Sequence, residues 1–444
     1  MEIKQFYDIN LAHASYAVLC DNKIALIDPA RDPEQYYDFA KENNAEIIAV
    51  IETHPHADFV SSHLEISDKT GAKIYISKLV NPEYDFVPFD EGDELKIGKA
   101  TLTAINTPGH SPDSISILIK DEEGIDQAIA TGDTLFVGDV GRPDLRESAG
   151  SINKSREELA SMMYNTINEK LKNLPESLIV YPAHGAGSLC GKSTNTDTYS
   201  TIGRELKENY ALQPMSEEKF VNELLKDQSY IPKYFGYNVE LNRNGAPDFK
   251  DSINKVRRLK SYEDIEKGFT VVDTRNESEF KAGHLLNAIN IPEDKRFETY
   301  LGTIISPDEK FYVVSGSEED SERIIRRAAK IGYELNIKGT IVYEENSESV
   351  KSPETDLEKF NQNKDQYTIL DVRNNTERKE NCIFDESYFI PFNELRDRID
   401  EIPKGKPVMV HCAAGLRSAI SSSILENSIN EKVYDLSENI KKFI

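Results

Sequence analysis

Short apolar runs alternate along the whole chain with polar, helix-like stretches, a pattern that predicts mixed α/β architecture with buried strands. Ile47-Ile48-Ala49-Val50-Ile51 reads as a buried strand ending in Glu52-Thr53. Further strands are expected at Ala100 to Ile105, Gln127 to Ala130 and Leu178-Ile179-Val180. A helix is expected over Ser216 to Lys226. The stretches Tyr234-Phe235-Gly236-Tyr237-Asn238 and Asn242-Arg243-Asn244-Gly245-Ala246-Pro247 read as a loop-rich connection between domains.

Beyond that connection the hydrophobic pattern repeats with a period near 98 residues. Val271-Val272-Asp273-Thr274-Arg275 returns as Ile369-Leu370-Asp371-Val372-Arg373, and Ile291-Pro292 as Ile390-Pro391. Phe311-Tyr312-Val313-Val314-Ser315 returns as Val408-Met409-Val410-His411-Cys412. Each copy reads strand, helix, strand, helix, as a small parallel sheet flanked by helices would. The period is too long for a solenoid and indicates two duplicated domains. Three domains are therefore expected: residues 1–245, 255–350 and 355–444.

Composition narrows the function classes. A net charge of -25 argues against nucleic acid or an anionic membrane as partner. Cys20, Cys190, Cys382 and Cys412 lie far apart with no Cys-x-x-Cys, so no disulfide framework is expected and any important cysteine works as a thiol. Cys20, in the apolar run Tyr16 to Cys20, reads as core, and Cys382 as inert. The N-terminus lacks signal-peptide character and no apolar run approaches a membrane span. The expectation is a soluble, cytoplasmic protein.

Candidate chemistry sits at the strand ends. His54-Pro55-His56-Ala57-Asp58-Phe59 follows the first strand, and Thr107-Pro108-Gly109-His110, Thr131-Gly132-Asp133 and Tyr181-Pro182-Ala183-His184 follow the others. Strands fix direction and short turns re-aim side chains, so several strand ends can converge on one ion. Near the other end, Val408 to Cys412 reads as a strand ending in cysteine, followed by Ala413-Ala414-Gly415-Leu416-Arg417-Ser418 and a helix over Ala419 to Leu425. Small residues let such a loop turn backbone N–H groups towards sulfur, and the helix start adds positive potential. Arg417 can bind an incoming anion. The Cys-x4-Arg spacing makes a ring tighter than the Cys-x5-Arg ring that holds phosphate.

The four histidine and aspartate segments resemble the metallo-β-lactamase superfamily over about the first 240 residues, which implies an N-terminal αββα sandwich. Two-metal hydrolases of that superfamily, such as glyoxalase II, carry histidine where this chain has Phe59. Phenyl cannot ligate, so one metal is expected. Within the superfamily the chain looks most like the persulfide dioxygenases. That resemblance implies one Fe(II) per chain on His54, His110 and Asp133, with positions open for O2 and substrate. It places His56, Asp58 and His184 around the ligands, bonding water or orienting them. Gly138-Asp139-Val140-Gly141-Arg142-Pro143-Asp144 also matches, with Arg142 helping to hold the thiol substrate; a surface ion pair between Arg142 and Asp144 is the plainer alternative. Cys190, in a Gly-rich loop, could carry sulfur, with Lys192 lowering its pKa, or be a loop cysteine without chemistry.

Residues 355–444, with Cys412 and Arg417, resemble a rhodanese sulfurtransferase domain. Residues 255–350 match rhodanese signatures in Asp273-Thr274-Arg275 and Phe280-Lys281-Ala282-Gly283-His284, yet Ser315 and Asp320 stand where the last copy has Cys412 and Arg417. That marks a pseudo-rhodanese domain. The whole resembles a bacterial multidomain persulfide dioxygenase–sulfurtransferase of sulfide detoxification. The expected partners are a small-molecule thiol persulfide, O2 and sulfite, with thiosulfate as product; related enzymes are often oligomeric. The rivals are a glyoxalase II-type thioester hydrolase with rhodanese domains and a non-catalytic sulfur-sensing scaffold.

Overall fold

The computed structural model describes residues 1–146, 154–192, 195–346 and 349–444. The chain forms two compact units, Met1–Ser252 with Ala329–Gly332, and Ile253–Ala328 with Tyr333–Ile444.

The first unit is a sandwich of two sheets. One contains β1 (Glu2–Asp8), β2 (His13–Cys20), β3 (Lys23–Ile27), β4 (Glu46–Ile51), β5 (Lys73–Ile76) and β6 (Val87–Pro88) in that order. The first three form an antiparallel meander and the rest pair in parallel. The second sheet is built from β7 (Glu94–Ile97), β8 (Ala100–Asn106), β9 (Ile115–Lys120), β10 (Asp126–Gly132), β13 (Ile179–Pro182) and β14 (Ser200–Thr201), in the order β14-β13-β10-β9-β8-β7. A small ribbon, β11 (Leu135–Phe136) with β12 (Asp139–Val140), follows β10. Strand alternation sends Ala14, Tyr16 and Val18 from one sheet and Leu102, Ala104, Ile117 and Ile119 from the other into a shared core. The outer faces are covered by helices. Tyr36, Phe39 and Ile66 pack on the first sheet, and Met163, Ile167, Phe220 and Leu224 on the second.

The predicted strands stand as β4, β8, β10 and β13, and the predicted helix as Glu217–Leu225, whose N-cap Ser216 accepts from Lys219 N–H. The expected interdomain loop stands only at Gly245-Ala246-Pro247. Residues Tyr234–Asn244 form a helix of this first unit, burying Tyr234, Phe235, Asn238, Val239 and Asn242 at helical spacing. Burial of that face outweighs the weak helix propensity of its Gly and Asn residues; Gly245 ends it at φ +88°.

The second unit holds both copies of the repeat. In the first copy β15 (Thr270–Asp273), β17 (Ala288–Asn290), β18 (Phe311–Ser315) and β19 (Ile337–Val342) form a parallel sheet ordered β17-β15-β18-β19, with β16 (His284–Leu285) pairing β20 (Ser349–Val350) beside it. In the second, β21 (Thr368–Asp371), β22 (Tyr388–Phe389), β23 (Val408–His411) and β24 (Val433–Asp435) form a parallel sheet ordered β22-β21-β23-β24. Among the described residues no helix is long and apolar enough to cross a membrane.

Candidate functional site

In the first unit the ends of β4, β8, β10 and β13 bring the predicted side chains together. His54, His56, Asp58, His110, Asp133 and His184 are all buried. His54 Nε2 lies 3.8 Å and His110 Nε2 3.5 Å from Asp133 Oδ2, while His184 Nε2 lies 3.5 Å from Asp133 Oδ1 and 3.4 Å from Asp58 Oδ2. His54, His110 and Asp133 offer ligand atoms all within 4.8 Å of one another, as do His56, Asp133 and His184.

The surroundings set the imidazole tautomers. Thr53 Oγ1 donates to Asp28 Oδ2 at 2.8 Å, so it accepts from His54 Nδ1 at 3.0 Å. The carbonyl of Arg142 can only accept, so His110 Nδ1 donates to it at 2.9 Å. Both rings therefore turn Nε2 towards the same carboxylate oxygen, a donor set that suits a divalent transition metal. Among the described residues, neither oxygen of buried Asp133 has a partner in hydrogen-bond geometry. Buried polar groups are rarely left so, and an ion would satisfy them. The residues present thus fit a metal. Gly132 and Gly141 allow the close approach: a Cβ on the first would meet Thr53 Oγ1 at 2.5 Å, and one on the second Asp133 O at 1.9 Å.

Phe59 lies inside this cluster, buried, its ring 3.8 Å from that of His13 and 4.4 Å from that of His56. His13 is a residue the sequence did not single out. It starts β2 and forms an isolated bridge with His184. Burial, then His184 and His56, hold its pKa down at about 3. For His184, burial opposes protonation, but Asp133 and Asp58 outweigh it and lift the imidazole to about 9. His56 Nε2 sits 3.1 Å from Oδ1 of Asp28, a third carboxylate of the cluster, which no motif flagged. Asn242, on the helix read as a loop, donates to the carbonyls of His56 and Phe59, both at 2.8 Å, and its Oδ1 accepts from Ser61 N–H at 2.8 Å. It clamps the turn from His56 to Ser61.

Arg142 is engaged inside the protein. Its guanidinium donates to both oxygens of Asp144 at 2.7 and 2.6 Å, to Ser229 Oγ at 2.8 Å and to Ser229 O at 2.6 Å. The ion pair with Asp144 is present, but buried and not at the surface. Cys190 joins the cluster with ligand atoms of Asp58 and His184. Lys192 does not lower its pKa: burial first, then Asp58 and Asp133, push the thiol well up, and Lys192 Nζ donates instead to Glu223 O at 2.8 Å.

In the second unit Cys412 is buried directly after β23, and Gly415 N–H donates to its Sγ at 3.1 Å. The helix following the loop starts at once, spanning Leu416–Glu426 rather than beginning at Ala419. Arg417 places its two terminal nitrogens on Glu377 at 2.6 and 2.7 Å. An anion arriving at Arg417 would therefore compete with Glu377, a carboxylate that the sequence did not single out. Cys382 is exposed and its Sγ faces Phe384 O at 3.4 Å.

A family model described as Metallo-beta-lactamase superfamily matches residues 10–184, and one described as Rhodanese-like domain matches residues 257–345 and 355–444. The probable metallo-hydrolase YqgX of Bacillus subtilis is 30% identical over 38% of this chain and 84% of its own length. The mitochondrial persulfide dioxygenase ETHE1 of Bos taurus is 29% identical over 47% of this chain and 72% of its own. The crystal structure of a metallo-beta-lactamase from Staphylococcus aureus superposes with a TM-score of 0.68 at 31% identity, covering 77% of this chain and 99% of that one. With its αββα sandwich and the parallel sheets that follow, the chain belongs to the metallo-β-lactamase superfamily and carries two rhodanese-like domains behind that fold.

Proposed function

We propose that the chain is a persulfide dioxygenase joined to a sulfurtransferase. The observation that carries this reading is a cluster of two imidazoles and one carboxylate, His54, His110 and Asp133, on the same chain as a Cys-x4-Arg loop closed on sulfur. One Fe(II) on that set would supply activation of O2 beside the terminal sulfur of a bound persulfide. The net reaction takes persulfide, O2 and water to thiol, sulfite and two protons. His54 and His110 keep Nε2 available through their Nδ1 bonds, and Asp58 with His184 can hold water or pass a proton beside Asp133.

At the second site a further persulfide gives its sulfane sulfur to Cys412 and leaves as thiolate. Sulfite sulfur then attacks the outer sulfur of the Cys412 persulfide. The S–S bond breaks, its electron pair returns to Sγ, and thiosulfate leaves. Gly415 N–H, 3.1 Å from Sγ, stabilises the thiolate that departs. Arg417 pairs with the entering anion as Glu377 yields one of its two contacts.

A second reading, a two-metal thioester hydrolase, has one observation in its favour. Asp133 turns Oδ2 to His54 and His110 and Oδ1 to His184, as a bridging carboxylate does. Phe59 opposes it. Metal content with an oxygen electrode decides: about one iron per chain and persulfide-dependent oxygen uptake support the dioxygenase, about two zincs and thioester cleavage the hydrolase. Asp133→Ala should cut oxygen uptake at least about 100-fold while Cys412-dependent sulfur transfer stays within about twofold. Equal loss of both activities would contradict separate sites.

A further inference from the structure

The middle domain has lost its cysteine yet keeps a rhodanese signature around Lys281, and that lysine has a task outside its own domain. Lys281 Nζ donates to Glu277 Oε1 at 2.6 Å, Asp435 Oδ2 at 2.7 Å and Ser437 Oγ at 2.8 Å. All three ammonium protons are thus spent, two of them on the C-terminal domain. Ser437 also donates to Glu277 Oε1, and its own N–H donates to Asp435 Oδ1 at 2.8 Å. Its backbone is left-handed, at φ +47°, a conformation that a serine holds only where its surroundings over-determine it.

The segment fixed in this way touches the cysteine loop. A Cβ on Gly415 would stand 3.1 Å from Ser437 C and 3.2 Å from Glu438 N, so the backbone at Ser437 abuts Gly415. Gly415, at φ +116°, is the residue whose N–H meets Cys412 Sγ. The middle domain also grips the helix that follows the loop: Asn290 N–H, at the end of β17, donates to Ser423 Oγ at 2.9 Å, and Asn427 Nδ2 donates to Ala288 O at 2.8 Å. The grip through Ser437 lies beside the loop, and the bonds at Ser423 and Asn427 lie at the far end of the helix.

We propose that the pseudo-rhodanese domain is the positioning partner of the sulfurtransferase loop, with Lys281 acting through Ser437 to hold the Gly415 N–H on Cys412. Lys281 is a positioning residue; it touches neither sulfur nor substrate. The inference rests on reading Cys412 as the sulfur carrier and adds a function for the domain without a cysteine. Losing one aligned N–H to a thiolate costs about tenfold in rate.

The test uses the full chain, with thiosulfate as sulfur donor and cyanide as acceptor, and in parallel the rate of iodoacetamide alkylation at Cys412 followed by peptide mass. Lys281→Met should lower kcat and the alkylation rate together by about tenfold, with KM for thiosulfate unchanged within about twofold. Lys281→Arg should restore most of both, and oxygen uptake by the N-terminal unit should not move. Ser437→Gly keeps the left-handed backbone but cuts the link at its other end, so it tests the coupling even if Lys281→Met fails to fold; a loss of about threefold is expected. Wild-type kcat and alkylation rate in both variants would overturn the proposal, as would a change confined to KM. If the wild-type chain transfers no sulfur through Cys412, the sulfurtransferase reading falls, and the alkylation rates still decide the coupling.

Discussion

The two copies of the repeat share a four-stranded parallel scaffold and differ most tellingly in the loop after the third strand. In both, the arginine two residues after a strand-end aspartate turns back onto it. Arg275 meets Asp273 at 3.0 and 2.6 Å, and Arg373 meets Asp371 at 3.0 and 2.7 Å. Above that common frame the loops diverge. In the C-terminal copy Gly415 N–H points at Cys412 Sγ. In the middle copy Ser315 Oγ donates to Ser317 O at 3.0 Å, and Asp320 accepts from Ser317 Oγ at 2.7 Å. The middle loop fills itself with its own hydroxyls and a carboxylate. The frame is structural in both copies; under the proposed function, chemistry depends on whether the loop presents a soft nucleophile to its backbone N–H groups.

This difference can be broken by substitution. Placing Ser315→Cys in a Cys412→Ser background should leave sulfur transfer at least about 100-fold below wild type, because Asp320 repels an anionic donor and the loop offers no cradle. Recovery within tenfold, assayed with thiosulfate and cyanide, would show that the cysteine alone makes the difference.

A second contrast concerns the helices that follow the loops. The one after Ser315, Glu318–Ala329, ends in alanines, whereas Leu416–Glu426 ends in a largely buried carboxyl. Burial pushes the Glu426 pKa up to about 7, opposed by a hydrogen bond from Ser352 and by Lys281. A raised carboxyl pKa means that the folded state binds the proton more tightly. Its stabilising effect is full below the ordinary carboxylate range and is lost as pH rises through about 7. Glu426→Gln should flatten that decline, which amounts to on the order of 2 kcal/mol, in urea titrations of the chain between acidic and mildly alkaline pH. An unchanged pH profile would contradict the assignment.

The smallest effect sharpens the comparison at the arginine. Glu377 and its counterpart Glu279 both accept from the N–H of their cap residues, Asn374 and Asn276, but only Glu377 also clasps the loop arginine, Arg417. Glu377→Gln should loosen the clasp and lower KM for thiosulfate about threefold, the scale of a half-exposed ion pair. A higher KM would mean that Glu377 orients Arg417 for the anion instead of competing with it.

The sequence carried much of this because its signals are local. Strand-end motifs placed His54, His110 and Asp133, and the repeat exposed the exchange of Cys412 for Ser315 from spacing alone. Contacts made by distant pairing were not legible. His13 reaches the cluster through a bridge to His184, more than 170 residues on, and nothing beside it in the chain hints at this. Asn242 sat in a stretch rich in Gly and Asn, where loop propensity masked a helix secured by burial. Arg142 matched a motif, but the motif could not say that Asp144 and Ser229 take up its guanidinium. Ser437 and Lys281 lie 156 residues apart, and no periodicity links them.

The most direct test measures oxygen uptake and sulfur products together in Cys412→Ser, supplied with a small-molecule persulfide. Oxygen uptake should continue at the wild-type rate, with sulfite accumulating in place of thiosulfate. Loss of oxygen uptake, or thiosulfate still formed at the wild-type rate, would contradict two sulfur chemistries acting in sequence on one chain.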